Sequence, residues 1–392
     1  MTVAAAGPAS SASGTPAGTS LRLALRHALA SRTIDPARTG ALAVDLRSGR
    51  TVFQRNVSLS MAPASAEKLT VAFTALRPLG PAFRFRTQVL GAGELDGRAW
   101  HGDLYLVGLG DPTLGRSDLA SLARQVAEWG IRRVDGRVVA DEHYYDARRG
   151  ARGWKPSFVG GESRPLSALA LQGVRLRGVN SSALTSGSAF REVLGRRGIV
   201  VAHATRIGRM PGDVLPLAVD YSESVTEVVQ EMNRESDNFV AEMLLKQLGA
   251  QVGRRGSTTA GAAVVRSELE RAGIPTAGVR IVDGSGLSLL DRLTAKSLVS
   301  LLRTAERDPS IRDPFLGSLS VAGISGTLRD RLRRRPARGR VIAKTGTTNE
   351  ASALVGFVRR RYVFAILQNG SPVDYWSARA AQDRFVTLLA RG

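Results

Sequence analysis

The chain contains no cysteine and only four histidines among its 392 residues. Without cysteine there can be no disulfide, no thiolate nucleophile and no cysteine-ligated zinc site. The histidines are far apart in the sequence and none has the spacing of metal ligands, so we predict neither a metal nor a cofactor. A Ser-His-Asp triad stays open, although no G-x-S-x-G motif supports one.

Long apolar runs and signal features are also missing. No uninterrupted apolar run approaches the roughly 18 residues that a membrane-spanning helix needs. Residues 1–19 are rich in Ala, Gly, Ser, Thr and Pro and almost uncharged, which predicts a disordered linker. They lack the basic start and the apolar core of a signal peptide, so no signal peptide is visible in this sequence.

Negative charge is scarce, since 34 acidic residues stand against 55 Lys and Arg and leave a net charge of +21. A solvated basic face would explain this excess, and so would attraction to an anionic partner. Nucleic acid is not expected, because aromatic residues make up only 5% and no nucleic-acid motif occurs. Among anionic partners we favour an extracellular polymer, bound through an Arg-rich surface whose densest part is residues 329–340.

Lysine is rare as well, with five lysines against 50 arginines. Arginine keeps its proton in a protein, whereas a desolvated lysine can lose it and act as a base. Lys68 follows Ser65 by three residues in the stretch PASAEKL (63–69), an S-x-x-K pattern. Taken alone, this pattern is better explained by an ordinary solvated lysine on a helix than by a catalytic one.

Helix and strand patterns alternate along the chain in a way that predicts an α+β protein. Apolar residues at helical spacing cover 20–32, 65–76, 117–131, 222–249, 293–307 and 377–391. The stretch 222–249 reads as two helices that meet near residues 234–236. Two short apolar runs around RSGR (47–50) predict a hairpin, and residues 340–370 read as successive antiparallel strands.

Two further motifs change the interpretation of Lys68. Residues 236–238 read Ser-Asp-Asn and residues 344–346 read Lys-Thr-Gly. The order S-x-x-K, S-x-N and K-T-G is the motif set of penicillin-binding proteins and class A β-lactamases. Composition predicts this triple by accident with a probability of only about 0.007. The three motifs therefore predict one active site for acyl transfer.

The chemistry of acyl transfer explains the residue types. Ser65 and Lys68 share one helix face, so the amine can activate the hydroxyl as a nucleophile. Ser236 would relay a proton to the leaving amine, and Asn238 would bind the substrate amide and the Lys68 side chain.

The K-T-G motif would form an edge strand to which the substrate adds as a further strand. Lys344, Thr345 and Thr347 would face a substrate carboxylate, with Gly346 between them. The backbone N–H groups of Ser65 and Thr347 would form the oxyanion hole.

From residue 20 to the C-terminus, the sequence resembles the class C low-molecular-mass penicillin-binding proteins, the D-alanyl-D-alanine carboxypeptidase/endopeptidase family. The resemblance extends to the blocks MAPASAEKLTVAFTAL (61–76), HGDLYLVGLGDPTL (101–114), GIRRVDGRVVADEHYYD (130–146), MNRESDNFVAEMLLKQLG (232–249), VDGSGLS (282–288) and VAGISGTLRDRL (321–332). It implies a transpeptidase-like domain, an antiparallel sheet flanked by helices, formed by residues 20–86 and 187–392. A smaller α/β domain is inserted at 87–186, and the third domain that better-known members nest within it is absent or reduced to a loop.

The resemblance also implies the function, a serine D-Ala-D-Ala carboxypeptidase with endopeptidase action as a second activity. It would cleave peptidoglycan stem peptides through a Ser65 acyl-enzyme, be acylated by beta-lactam antibiotics, and work outside the cytoplasm, secreted or in the cell wall or periplasm. The alternatives are a non-catalytic wall-binding scaffold and a β-lactamase or esterase on a related fold.

Two features stay open at this stage. The VDGSGLS block is either a tight turn or a loop near the site. Glu67 should point away from the face shared by Ser65 and Lys68. If Glu67 did approach Lys68, it would raise the pKa of the amine and oppose its role as a base.

Overall fold

The computed structural model describes residues 17–173 and 181–392, with side chains from residue 21 onward. Residues 1–16 of the predicted linker lie outside the described residues. Residues 17–19, the last three of that linker, belong to the first helix, which begins at Ala17. The strands are β1 (Thr39–Asp45), β2 (Thr51–Arg55), β3 (Arg84–Asp96), β4 (Ala99–Gly108), β5 (Arg133–Val134), β6 (Val138–Asp141), β7 (Val200–Val201), β8 (Arg206–Ile207), β9 (Leu215–Ser224), β10 (Ser320–Val321), β11 (Val341–Thr347), β12 (Ala351–Val358) and β13 (Tyr362–Asn369). The helices are α1 (Ala17–Ala28), α2 (Lys68–Thr74), α3 (Arg116–Glu128), the short turn α4 (Phe158–Gly161), α5 (Ser182–Arg196), α6 (Val225–Glu235), α7 (Asn238–Gln251), α8 (Thr258–Arg271), α9 (Ala295–Arg307), α10 (Arg312–Gly317) and α11 (Tyr375–Arg391).

The first sheet is antiparallel, with the strand order β10-β11-β12-β13-β1-β2. Both of its faces are buried, as the alternation along β13 shows. Val363, Ala365 and Leu367 face a core shared with α2 and α6 to α10. Phe364 and Ile366 face a second core shared with α1 and α11. The predicted hairpin and the late antiparallel strands belong to this sheet, and the predicted closing helix packs against it.

The second sheet has the order β7-β5-β4-β3-β9, with β6 beside β4 and β8 beside β6. Strands β3 and β4 form a long antiparallel hairpin, whereas β5 and β6 each pair with β4 in parallel. Helices α3 and α5 cover one face and share its core, to which Trp100, Leu122 and Phe190 belong.

The pairing of β9 with β3 concerns the predicted domain boundary. Thr87 lies opposite Asp220, so the chain returns to the second sheet well after residue 187. Residue 187 itself lies inside α5, which packs on this sheet. We therefore propose that the inserted domain ends near Ser224. The prediction that the nested domain is absent or reduced to a loop falls partly on residues 174–180, which lie outside the described residues, and stays a prediction.

Within the described ranges, no helix is long and apolar enough to cross a membrane.

Candidate active site

Ser65 lies in a single 3₁₀ turn, Ala64–Glu67, and Lys68 is the first residue of the α-helix that follows. A 3₁₀ turn places side chains three residues apart directly above one another, which brings the two groups together. The Lys68 Nζ lies 2.9 Å from the Ser65 Oγ. The Lys68 side chain is fully buried, while Ser65 is partly exposed and open to a substrate.

The Lys68 amine has two further partners. Its Nζ lies 2.7 Å from the Oδ1 of Asn238 and 2.8 Å from the carbonyl oxygen of Ser285. Burial lowers the pKa of Lys68 to about 8, although the nearby Asp283 and Glu242 act in the opposite direction. A useful fraction of the amine is therefore unprotonated near neutral pH, which is the form a general base needs.

Ser236 and Asn238 flank the break between α6 and α7. Ser236 ends α6 in a left-handed conformation with φ 59°, and the Asp237 side chain accepts the Val240 N–H to cap α7. The Nζ of Lys344 donates to the Ser236 Oγ at 2.8 Å. Burial and the charge of Lys68 hold the pKa of Lys344 well below its usual value.

The K-T-G motif lies on an open stretch of strand edge. Among the described strands, β10 pairs with β11 only at Ile342 and Ala343, so residues 344–347 keep a free edge. A Cβ on Gly346 would lie 2.9 Å from the Pro63 carbonyl oxygen and 3.1 Å from the Ser65 nitrogen. Glycine at 346 therefore lets the strand approach the turn that carries Ser65.

The structure brings all eight predicted site residues into one cleft. Ser65, Lys68 and Asn238 form one hydrogen-bonded group, and Ser236, Lys344 and Thr345 form another. Gly346 packs against the Ser65 turn, and the exposed Thr347 follows it on β11.

Three groups in the cleft are absent from the predicted site. The Thr327 hydroxyl lies 2.8 Å from that of Thr345, and the Ser285 carbonyl contacts Lys68. Trp154 donates its Nε1–H to Asp283 at 2.7 Å. Residues 285 and 327 fall within quoted sequence blocks, but a backbone carbonyl has no signature in a sequence. The VDGSGLS block is thus a loop at the site.

Glu67 is fully buried and makes no hydrogen bond to Lys68. Its Oε1 accepts from the Thr70 hydroxyl at 2.7 Å, and burial raises its pKa well above the usual value. Burial thus disfavours the carboxylate form of Glu67, which weakens the effect that its charge has in raising the pKa of Lys68.

A cavity of about 480 Å³ adjoins Thr347. Its lining combines apolar and charged side chains, among them Lys155, Phe158, Glu162 and Leu287. The Glu162 carbonyl accepts from the Nδ2 of Asn238 at 2.9 Å, which ties this wall to the hydrogen-bonded group around Lys68. In the described part of the chain, no group of three or more His, Asp or Glu could hold a metal ion.

Comparison with known proteins gives one consistent result. Residues 21–176 and 165–392 match the family model described as the D-Ala-D-Ala carboxypeptidase 3 (S13) family. The chain is 30% identical over 476 residues to the D-alanyl-D-alanine carboxypeptidase of Actinomadura sp. (strain R39), covering 100% of this chain and 88% of that relative. It is 31% identical over 373 residues to a carboxypeptidase of Mycobacterium tuberculosis, covering 88% and 78%.

The fold is similar to that of penicillin binding protein 4 from Haemophilus influenzae, with a TM-score of 0.81 and 21% identity. The match covers 96% of this chain and 99% of the other. It confirms the predicted fold class, a transpeptidase-like domain with an inserted smaller domain.

Proposed function

Because the chain belongs to the D-Ala-D-Ala carboxypeptidase 3 (S13) family and is a serine D-alanyl-D-alanine carboxypeptidase, we propose that it cleaves peptidoglycan stem peptides through an acyl-enzyme on Ser65. The observation that carries this proposal is the 2.9 Å contact between the buried Lys68 amine and the Ser65 hydroxyl. A poor nucleophile thereby lies within reach of a base.

In the first step, the Ser65 oxygen attacks the carbonyl carbon of the terminal peptide bond and its proton passes to the neutral Lys68 amine. The backbone N–H groups of Ser65 and Thr347 donate to the oxyanion that forms. The C–N bond then breaks, and Ser236 relays a proton to the departing nitrogen of D-alanine. Water then attacks the Ser65 ester, with the same base and the same oxyanion hole, and releases the shortened peptide and the free Ser65 hydroxyl.

The free edge of β11 supports a role in binding the substrate as an added strand. Among the described strands none pairs with this edge at residues 344–347, and Thr345 and Thr347 carry hydroxyls there. A bound carboxylate favours the protonated form of Lys344, because opposite charges at short range raise the pKa of an amine.

The same acyl-enzyme supports two further activities. Cleavage of a cross-bridge between two stem peptides differs only in the amine that departs, so endopeptidase action follows from the same groups. Penicillin carries a reactive amide and a carboxylate, and it acylates Ser65 to leave a slowly hydrolysed adduct.

We also propose that the enzyme works outside the cytoplasm, where stem peptides are found, and that its Arg-rich surface attracts anionic wall polymers. Six exposed arginines lie in the run after the site residue Thr327. They are Arg329, Arg333, Arg334, Arg335, Arg338 and Arg340. Across the described residues none of them pairs with a carboxylate, whereas Arg331 is buried against Asp383. This unpaired charge attracts polyanions.

The test is intact-mass spectrometry after incubation with benzylpenicillin, on the wild type and on Ser65→Ala. We expect one stable adduct on the wild type and none on the variant. If the wild type neither gains an adduct nor consumes the drug, the scaffold alternative replaces the peptidase. Rapid consumption of the drug without an adduct would identify a β-lactamase instead.

A further inference from the structure

The backbone of the loop 282–288 is held by buried carboxyl groups. The Oε1 of Glu242 accepts the N–H groups of Gly284 and Ser285, both at 2.9 Å. Asp283 accepts the N–H of Gly286 at 2.7 Å through its own side chain. Hydrogen bonds on both sides of Ser285 therefore fix the direction in which its carbonyl points.

That carbonyl points at the proposed base, with the Ser285 oxygen 2.8 Å from the Lys68 Nζ. Glu242 lies one helical turn after Asn238 on α7, so the two side chains share a face. Asn238 contacts the amine directly, and Glu242 contacts the loop that supplies the second acceptor. One helix face thus controls two of the three contacts of Lys68.

These two contacts determine where the lone pair of a neutral amine points. The Asn238 Oδ1 and the Ser285 carbonyl only accept hydrogen bonds, so they take both N–H groups of the neutral amine. The Asn238 amide orientation is itself set by its Nδ2, which donates to the Glu162 carbonyl. The lone pair is then left for the third contact, the hydroxyl of Ser65.

The charge state of Glu242 bears directly on that amine. Its side chain is fully buried, and its Oε2 has no hydrogen-bond partner in the described structure. Burial raises the pKa of Glu242 to about 8, the range in which Lys68 also titrates. The carboxyl is therefore mainly neutral at pH 7. The titratable and charged groups that face Glu242 and Lys68 are Glu67, Asp237, Lys246, Asp283 and Lys344.

We propose that Glu242 is a positioning residue for Lys68, acting through the Gly284–Ser285 backbone to direct the amine toward Ser65. The proposal rests on the proposed role of Lys68 as the base for Ser65. It requires that the carboxyl oxygen be present to hold the loop and that its negative charge be absent while the base accepts a proton.

The test compares Glu242→Gln and Glu242→Ala with the wild type over about pH 5 to pH 10, using benzylpenicillin acylation and kcat and KM on a D-Ala-D-Ala peptide. Gln keeps the acceptor oxygen without any possible charge. We expect its rate at the optimum to stay within about 3-fold and its acid limb to move roughly half a pH unit to one unit lower. The limb moves down because Glu242 titrates in the same range as Lys68, and the fraction of it that is ionised there raises the pKa of the amine in the wild type.

The Ala variant removes the acceptor for the N–H groups of Gly284 and Ser285. The Ser285 carbonyl is then no longer held toward Lys68, and the amine is no longer oriented toward Ser65. We expect kcat to fall by roughly 10- to 100-fold, with KM within about 2-fold of the wild type. The matched control is Glu268→Gln, a buried carboxyl on α8 that pairs with Arg77 away from the cleft. Its pH profile should coincide with that of the wild type.

Rates are normalised to the fraction of molecules that finally carries penicillin, which removes any loss from misfolding. Equal losses of rate in Gln and Ala would overturn the proposal, and so would an acid limb of Gln that coincides with that of the control. Failure of the proposed function has a different signature, because a penicillin adduct on Ser65→Ala would exclude Ser65 whatever the Glu242 variants do.

Discussion

At the scale of single residues, the partners of a buried lysine distinguish its role. Lys68, Lys246 and Lys344 are all fully buried. Lys246 pairs with the Asp146 carboxylate at 2.6 Å and so joins α7 to the loop that follows β6. Lys68 and Lys344 have hydroxyl, amide or carbonyl partners instead and, among the described residues, no carboxylate partner. A buried amine without a counter-ion favours its neutral form, which suits a base.

This difference predicts the outcome of Lys68→Arg. The guanidinium keeps its proton, so the variant can stay cationic but cannot take a proton from Ser65. We expect acylation by benzylpenicillin to slow by roughly 10³-fold, measured as the rate of adduct formation by intact mass. Lys296→Arg is the matched control, because Lys296 is exposed on α9 and should tolerate the change. Acylation of Lys68→Arg at the rate of the control would exclude Lys68 as the base.

Residue types also set the limit of what the sequence predicts about the site. Side chains with rare chemistry, such as Lys68 and Lys344, were identifiable from their scarcity and spacing. The Ser285 carbonyl was not, because every residue carries one and only the tertiary path of the loop brings it to the amine. Glu67 was expected away from Lys68, and its burial depends on packing against a distant loop that no local pattern reveals.

At the scale of elements, sequence patterns predicted those helix and strand boundaries that depend on neighbouring residues. The break between α6 and α7 follows from capping residues, with Ser224 starting one helix and Asp237 the next. The return of β9 to the second sheet depends on pairing with β3, far earlier in the chain. Such pairing leaves no local signal, so the sequence gives no local reason to place the end of the inserted domain near Ser224, as we propose, and not at the predicted residue 187.

The approach of β11 to the Ser65 turn predicts the outcome of Gly346→Ala. The added methyl group meets the Pro63 carbonyl oxygen at 2.9 Å, so the strand must move away from the turn. We expect acylation to slow by roughly 100-fold, because a displacement near 1 Å can cost that much. The rate of adduct formation measures it, with Gly212→Ala as the control, since a Cβ there meets no atom within 4 Å. Equal rates in the two variants would show that the close approach has no role in catalysis.

At the scale of the whole molecule, several contacts join the segment 144–163 to the cleft. Trp154 donates to Asp283, the Ser288 hydroxyl donates to the Arg152 carbonyl at 2.8 Å, and the Asn238 amide donates to Glu162. The segment therefore forms one wall of the site and supports the loop behind it. Sequence blocks outside the three motifs thus contribute to the same cleft.

The net charge of +21 predicts how the molecule responds to salt. Exposed charges are screened beyond about 10 Å at 0.1 M salt, whereas the buried groups around Ser65 are screened much less. We expect binding to a polyanion such as teichoic acid to weaken at least about 10-fold between about 0.05 M and 0.5 M salt. Acylation by penicillin should change by less than about 2-fold over the same range. Co-sedimentation and intact mass measure the two.

The Arg-rich run should carry most of that binding, because its six exposed arginines are clustered and, among the described residues, lack acidic partners. Replacing Arg333, Arg334 and Arg335 by Gln should weaken polyanion binding by roughly 10-fold at low salt and leave kcat and KM on a soluble peptide unchanged. A control that replaces three dispersed exposed arginines, Arg47, Arg197 and Arg254, removes the same charge without the cluster. If both triple variants lose binding equally, the attraction comes from net charge and the run is an ordinary solvated face. A larger loss from the clustered variant assigns the Arg-rich run to binding of the wall polymer.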